Sequence, residues 1–167
     1  MNINYALLRE VLSRWVPTGE FIQVRQQLVK LSCLDVTICL GLSAGGNDVV
    51  FDSELCGEVG LLFPLREIKV SDIIERMRDL VGEEDNVQNV SRLYGLVCFA
   101  VLFFPRTSRT LTNLPSRLLD NLDTLRQYRW ASHVHSFLIS SLNRSLTVYR
   151  EKSNKHTIFV SGSVVIV

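Results

Sequence analysis

The chain has 167 residues, which is long enough for one domain with a sizeable hydrophobic core. Apolar residues make up 47% and charged residues 21%, a globular balance that excludes an intrinsically disordered chain. The net charge is +1, but the charges are unevenly distributed. Residues 1–100 hold nine Lys or Arg and fourteen Asp or Glu, whereas residues 101–167 hold nine Lys or Arg and three Asp or Glu. This asymmetry has two interpretations, an anionic partner for the basic part or attraction between the two parts inside the fold.

The cysteines and the apolar runs indicate in which cellular compartment the protein is expected. The four cysteines include no C-x-x-C pair, which argues against a zinc ribbon or redox motif and indicates reduced thiols in a reducing compartment. The N-terminus lacks the basic and apolar regions of a secretory signal. The longest apolar run, Leu96 to Phe104, is less than half of the roughly 20 residues that a membrane span needs. We therefore expect no membrane partner and a nuclear or cytoplasmic protein.

The first elements predicted along the chain are a helix and a hairpin. Apolar residues at helical spacing predict a helix over residues 4–16, ended by Pro17. Residues 21–24 and 28–31 predict two short strands around a polar turn.

A short helix and an irregular stretch follow. Ser32 resembles a helix N-cap with Asp35 as its capping-box partner, and Gly41 ends that helix. Residues 49–51 form a possible strand, and residues 52–69 read as irregular.

Helices dominate the remainder of the predicted fold. The pattern predicts helices over 71–80, 88–104, 116–125 and 129–149, with the second as a central buried helix. The tail, residues 158–167, has the β-branched composition of a strand. The predicted fold class is therefore mainly α, a single helical domain over residues 1–167 with a short N-terminal β-hairpin. Because the apolar tail ends abruptly, we also expect this domain to be truncated at its C-terminus.

A possible nucleophile lies in the segment Gly41 to Gly45, which matches the G-x-S-x-G pattern of hydrolases around Ser43. That pattern works only on a sharp turn between a strand and a helix. The residues after Gly45 do not start a helix, and no alternating strand and helix pattern surrounds them. We therefore favour a plain glycine-rich turn and keep a serine hydrolase as an alternative.

Metal ligation and carboxylate chemistry are weak alternatives. His133 and His135 are two apart on a predicted helix and so point in divergent directions, which argues against a shared metal. His156 sits in a polar loop. Asp120 and Asp123 are three apart on one helix face, where they suit ion pairs with nearby arginines better than a magnesium site. The sequence predicts neither a metal nor a cofactor.

A basic segment with aromatic neighbours is the candidate contact surface. Arginine beside aromatic residues suits nucleic-acid backbones and single strands, and equally suits a protein-interaction hot spot. The candidate contact residues are Arg106, Arg109, Arg117, Arg129 and Trp130. No helix-turn-helix, zinc-finger or RNA-binding signature is present, so a protein partner is expected and nucleic acid is the alternative.

Several short motifs, taken in order, carry a family resemblance. They are Leu34-Asp35-Val36, Leu40-Gly41-Leu42, Gly45, Tyr94 to Pro105, Leu118-Leu119, Leu122-Asp123, Tyr128, Trp130 and Ser132. Their order and spacing resemble the plant mobile domain family, which is often labelled aminotransferase-like. A sister group of transposon-associated plant domains is the nearest rival. A small pair at Ser161-Gly162 also fits the family and favours a helical tail.

The resemblance implies a nuclear domain shared by transposable elements and host proteins, some of which act in transposon silencing and meristem maintenance. It implies no pyridoxal-phosphate site, and it carries over no catalytic residue. The family domain is usually longer than this chain, which agrees with a truncated domain. The function expected is a non-catalytic nuclear interaction module of transposon-related origin, and the alternative is a nucleic-acid-contacting domain of a transposable element.

Overall fold

The computed structural model describes residues 5–63, 68–82, 84–106 and 111–151. The chain divides into two compact units, one formed by residues 1–44 and 131–167 and the other by residues 45–130. Helices dominate, and a small antiparallel sheet lies near the N-terminus. The predicted fold class, mainly α with a short N-terminal β-hairpin, is confirmed. The single-domain organisation stays a prediction, and the predicted tail and His156 lie outside the described residues.

The first unit combines the two ends of the chain. Its elements are α1 (Tyr5–Arg14), β1 (Trp15–Val16), β2 (Phe21–Val24), β3 (Gln27–Lys30), α2 (Cys33–Leu40) and nearly all of α6 (Trp130–Glu151). The sheet order is β1-β2-β3, and both strand pairs are antiparallel. A two-residue turn joins β2 to β3, and its first residue, Arg25, has φ 57°, as expected where the turn must follow the strand twist.

The core of the first unit forms where α1 and α6 pack together. The buried cluster consists of Leu8, Val11, Leu12, Trp15, Leu31, Leu138, Ile139, Leu142 and Leu146. A buried indole N–H needs a partner, and the Trp15 Nε1 donates to Asn143 Oδ1 at 2.8 Å. This hydrogen bond and the apolar cluster fix the end of α1 against α6, and the first strand of the sheet begins at Trp15 itself.

The second unit is built from short helices. Its elements are α3 (Gly57–Leu61), α4 (Val70–Leu80), a 3-10 turn (Glu84–Asn86), α5 (Val87–Cys98), a π-helical turn (Phe99–Phe103) and two 3-10 helices (Ser116–Asp120 and Leu122–Gln127). The predicted central helix is therefore present, but its last turn widens. The Phe104 N–H donates to the Phe99 carbonyl at 2.8 Å, five residues back, and Pro105 then ends the helix.

One predicted helix and one predicted strand are wrong. Residues 116–125 form two 3-10 helices broken at Asn121, whose backbone is extended. The guanidinium of Arg92 donates to the Leu119 and Asp120 carbonyls at 3.3 and 3.2 Å. These carbonyl groups therefore accept hydrogen bonds from Arg92 and not from the next turn of an α-helix. Asp120 and Asp123 therefore do not share an α-helical face. Residues 49–51 form no strand; an isolated antiparallel bridge follows them at Asp52 and Leu114.

We expect the change Gly46→Ala to destabilise the second unit. Gly46 has φ 118°, and a Cβ there would overlap the carbonyl oxygen of Gln127. That carbonyl already accepts the Asn47 N–H at 2.8 Å, so the backbone has no room to move. The free energy of unfolding in urea should fall by at least about 2 kcal/mol.

The neighbouring change Gly45→Ala is the matched control. A Cβ at Gly45 meets nothing within 4 Å, so its effect should stay below about 0.5 kcal/mol. Equal losses in the two variants would contradict the close approach of the backbone at Gly46.

Candidate functional site

The predicted basic contact residues are dispersed in the second unit. Arg106 and Arg117 are exposed, and Arg109 lies outside the described residues. Arg129 is engaged within the fold, because its guanidinium forms an ion pair with Asp48. Of the four arginines predicted for contact, only Arg106 and Arg117 are therefore exposed among the described residues.

Trp130 belongs to the interior of the second unit. Only 6% of its surface is exposed, and its Nε1 donates to the Leu125 carbonyl at 2.6 Å. Its ring stacks on Phe99 with 5.0 Å between centroids. Burial of an aromatic ring with its N–H satisfied is the arrangement expected of a core residue. The structure therefore removes Trp130 from the predicted contact surface.

The charges are distributed differently when they are counted by structural unit rather than by sequence segment. Residues 45–130 contain ten Lys or Arg and thirteen Asp or Glu, so the unit that carries all the predicted contact arginines is acidic. The first unit contains eight Lys or Arg and four Asp or Glu, so it is the basic unit. The net charge of a sequence segment therefore differs here from the net charge of the structural unit to which its residues belong.

Ser43 does not lie on a nucleophile elbow. The helix α2 precedes it and ends at Gly41, which has φ 67° and caps the helix in the left-handed conformation. No helix starts between Ser43 and Asp48, where bends and one isolated bridge follow the serine. A nucleophile elbow requires the opposite order, a strand before the serine and a helix after it.

His133 and His135 lie on α6. The His135 Nε2 lies 2.9 Å from the Leu31 carbonyl oxygen and 3.8 Å from Glu20 Oε2, so it links α6 to the hairpin. Within the described residues, no three or more His, Cys, Asp or Glu side chains are placed to hold a metal ion. The same part of the chain contains no helix long and apolar enough to cross a membrane.

The feature of the first unit that sequence reasoning missed is an apolar groove of about 420 Å³. Residues from α1, both strands of the hairpin and α2 line it: Leu7, Glu10, Val11, Arg14, Ile22, Val24, Val29, Lys30, Leu31, Asp35 and Cys39. We call this cavity the hairpin groove. A cavity of this size lies in the range of ligand and peptide sites.

The hairpin groove combines a buried floor with exposed apolar walls. Val11 and Leu31 are buried, whereas Leu7, Val24 and Val29 are exposed by 58, 45 and 50%. Apolar side chains that remain half exposed around one concavity mark an interaction site more often than a monomer surface. The signal in the sequence was weak: Leu7 lies beside the apolar stripe of α1, and the hairpin carries apolar residues on both faces.

Charged residues edge the groove. Glu10 and Arg14 pair along α1, and Lys30 lies at the end of β3. Cys39, which also lines the groove, is exposed.

Asp35 fixes α2 at one side of the groove. Both the backbone N–H and the hydroxyl of Ser32 donate to Asp35 Oδ2 at 2.7 Å, which confirms the predicted capping interaction. These hydrogen bonds to Ser32 hold the pKa of Asp35 below its usual value, and the nearby His135 adds to the effect. A carboxylate in the first turn also suits the positive end of the helix dipole.

We expect Asp35→Asn to cost stability in a pH-dependent way. A carboxylate with a lowered folded pKa contributes stability above its unfolded pKa and loses that contribution as pH falls through the folded pKa. The variant should therefore be about 1 kcal/mol less stable than the parent at pH 7, and the difference should shrink below about pH 4.

Urea unfolding across this pH range checks the Asp35 prediction. Asp79→Asn removes an exposed carboxylate from α4 and should change the stability at pH 7 by less than about 0.5 kcal/mol. A difference between Asp35→Asn and the parent that is independent of pH would show that the charge of Asp35 is not what stabilises α2.

Comparisons with known proteins give a family and no activity. No curated protein and no solved structure is significantly similar to this chain. Neither of these two comparisons indicates the plant mobile domain family, so that resemblance stays a prediction. A family model described as a domain of unknown function (DUF8566) matches residues 1–166, and the chain therefore belongs to this family.

Proposed function

We propose that this chain is a non-catalytic interaction module that binds a protein partner through the hairpin groove. The observation that carries the proposal is the groove itself, a concavity of about 420 Å³ with half-exposed apolar walls. Burying apolar surface contributes about 25 cal/mol per Å², so a partner that covers the half-exposed Leu7, Val24 and Val29 gains affinity from the groove walls. A nuclear location and a role in transposon silencing or developmental regulation are included in the proposal on the resemblance alone.

The lining residues favour a macromolecular partner over a reaction. The groove holds apolar side chains, one ion pair between Glu10 and Arg14, and a carboxylate at Asp35 that is already used as a helix cap. The lining also includes Lys30 and the Cys39 thiol, but none of the described lining residues is a histidine that could act as the base for that thiol. Binding with no chemical step is therefore the function that we assign to the groove.

The test is a selection of random peptides displayed on phage against the folded chain. Peptides recovered in this way should bind with micromolar dissociation constants, and the change Leu7→Glu should weaken them at least about tenfold, or about 1.4 kcal/mol. Placing a charge in an apolar wall leaves that charge desolvated when a peptide covers it.

Ile38→Glu is the matched control for Leu7→Glu. Ile38 is 80% exposed on α2 and does not line the groove, so its variant should bind the recovered peptides as the parent does. Failure to recover any peptide, or equal weakening by both variants, would contradict the groove as the binding site.

Nucleic-acid contact is the second candidate, and two exposed arginines favour it. Arg106 and Arg117 are both accessible in the second unit. The excess of acidic residues in that unit opposes binding of a phosphate backbone, so we rank this function below the first.

We expect fluorescence anisotropy to detect no salt-sensitive binding of short duplex or single-stranded DNA. Phosphate contacts make affinity fall steeply with salt, so a comparison of low and near-physiological salt identifies them. Tight binding at low salt that is lost in the double variant Arg106→Ala and Arg117→Ala would reverse the ranking of the two candidates.

A further inference from the structure

The outer edge of β3 presents backbone groups that point away from the sheet. The order β1-β2-β3 places β3 at one edge. Ile22 pairs with Val29, and the Leu31 N–H donates to the Glu20 carbonyl at 2.8 Å. Backbone groups alternate in direction along an antiparallel strand. The N–H and C=O groups of Leu28 and Lys30 therefore face outward.

All four residues of β3 are exposed, which is uncommon for an edge strand with apolar side chains. Leu28 and Val29 are exposed by 57 and 50%, on opposite faces of the strand. Natural edge strands are usually shielded, because an open edge is a template for pairing with another chain. An open, partly apolar edge is thus a feature that a binding partner would use.

The hairpin groove adjoins this edge. Val29 and Lys30 belong to β3 and also line the groove, together with Ile22 and Val24 of β2. In a strand added beside β3, every second side chain projects to the same face of the sheet as Val29. The backbone edge would supply hydrogen bonds, and the groove would receive alternate side chains.

The charge of the hairpin indicates which kind of strand would pair with β3. The two hairpin strands contain no acidic residue, and the hairpin carries Arg25 in its turn and Lys30 at the end of β3. Like charges opposite each other destabilise a strand pair, so two copies of this edge oppose pairing with each other. An acidic strand would instead be attracted to it.

We propose that β3 accepts, as a fourth strand, an extended segment of another protein in which apolar and acidic residues alternate. This inference rests on the proposed function, because it specifies the partner of the same groove. Main-chain pairing at Leu28 and Lys30 gives the contact, and insertion of apolar side chains beside Val29 gives the selectivity.

The experiment uses two short capped peptides, one alternating Val and Glu and the other alternating Val and Lys. Fluorescence anisotropy should show the Val–Glu peptide binding at least about tenfold more tightly than the Val–Lys peptide, with an affinity that falls as salt rises. Equal binding of the two peptides would overturn the assigned charge of the partner.

Amide hydrogen exchange gives the direct readout of strand addition. The Val–Glu peptide should slow exchange of the Leu28 and Lys30 amides at least about tenfold, because those amides become hydrogen-bonded. The Val29 amide, which already faces β2, is the internal control and should change little.

A pair of variants separates the backbone from the side chain. Leu28→Pro removes the outward N–H and should abolish binding, whereas Leu28→Ala keeps it and should bind within about threefold of the parent. Circular dichroism checks that both variants keep the parent's fold, and the exchange measurement on the parent chain stands without either variant.

Strand addition at β3 and peptide binding in the hairpin groove are distinguished by their readouts. Peptides that bind and respond to Leu7→Glu without protecting the Leu28 and Lys30 amides would overturn strand addition and leave the groove proposal intact. Protection of both amides in the peptide-free chain, increasing with protein concentration, would make a second copy the occupant and would also overturn it.

Discussion

The first unit depends on the burial of Trp15 between α1 and α6. Trp15 and Asn143 are separated by 128 positions in sequence, yet the indole N–H donates to the Asn143 side chain inside a cluster of leucines. Burial of these side chains provides the main stabilisation of this unit. Because β1 begins at Trp15 and the hairpin follows within a few residues, the position of that ring also determines where the sheet begins.

The hairpin groove follows from this constraint. The sheet has β1 on one side of β2 and β3 on the other, so β3 is left at an edge. The strand β3 is short, and the buried Leu31 follows it directly. The capped start of α2 comes next. The apolar residues between these fixed points cannot all reach the core, and Val24 and Val29 remain at the surface. The groove thus arises from the same packing that stabilises the unit.

In the second unit, several polar side chains stabilise the fold through distant partners, and Arg129, which the sequence predicts for contact with a partner, is one of them. Arg92 donates to two carbonyl groups, and Arg129 pairs with Asp48. Asp120 accepts the Glu58 N–H at 2.8 Å, and so caps α3 rather than pairing with an arginine of its own segment. Each of these partners is distant in sequence. Arginine supplies several donors in a fixed geometry, which suits this work inside a fold built from short helices.

The sequence by itself determined the mainly helical class, the hairpin, the capping of α2 by Asp35 and the end of that helix at Gly41. These features depend on local periodicity and on hydrogen bonds between residues three or four positions apart, which a sequence shows directly. Only the tertiary structure decided the break at Asn121, the burial of Trp130 and the formation of the hairpin groove. The reason is that each of these depends on partners far away in the chain, such as Arg92 for the break and Phe99 for the burial, and spacing along a sequence does not specify them.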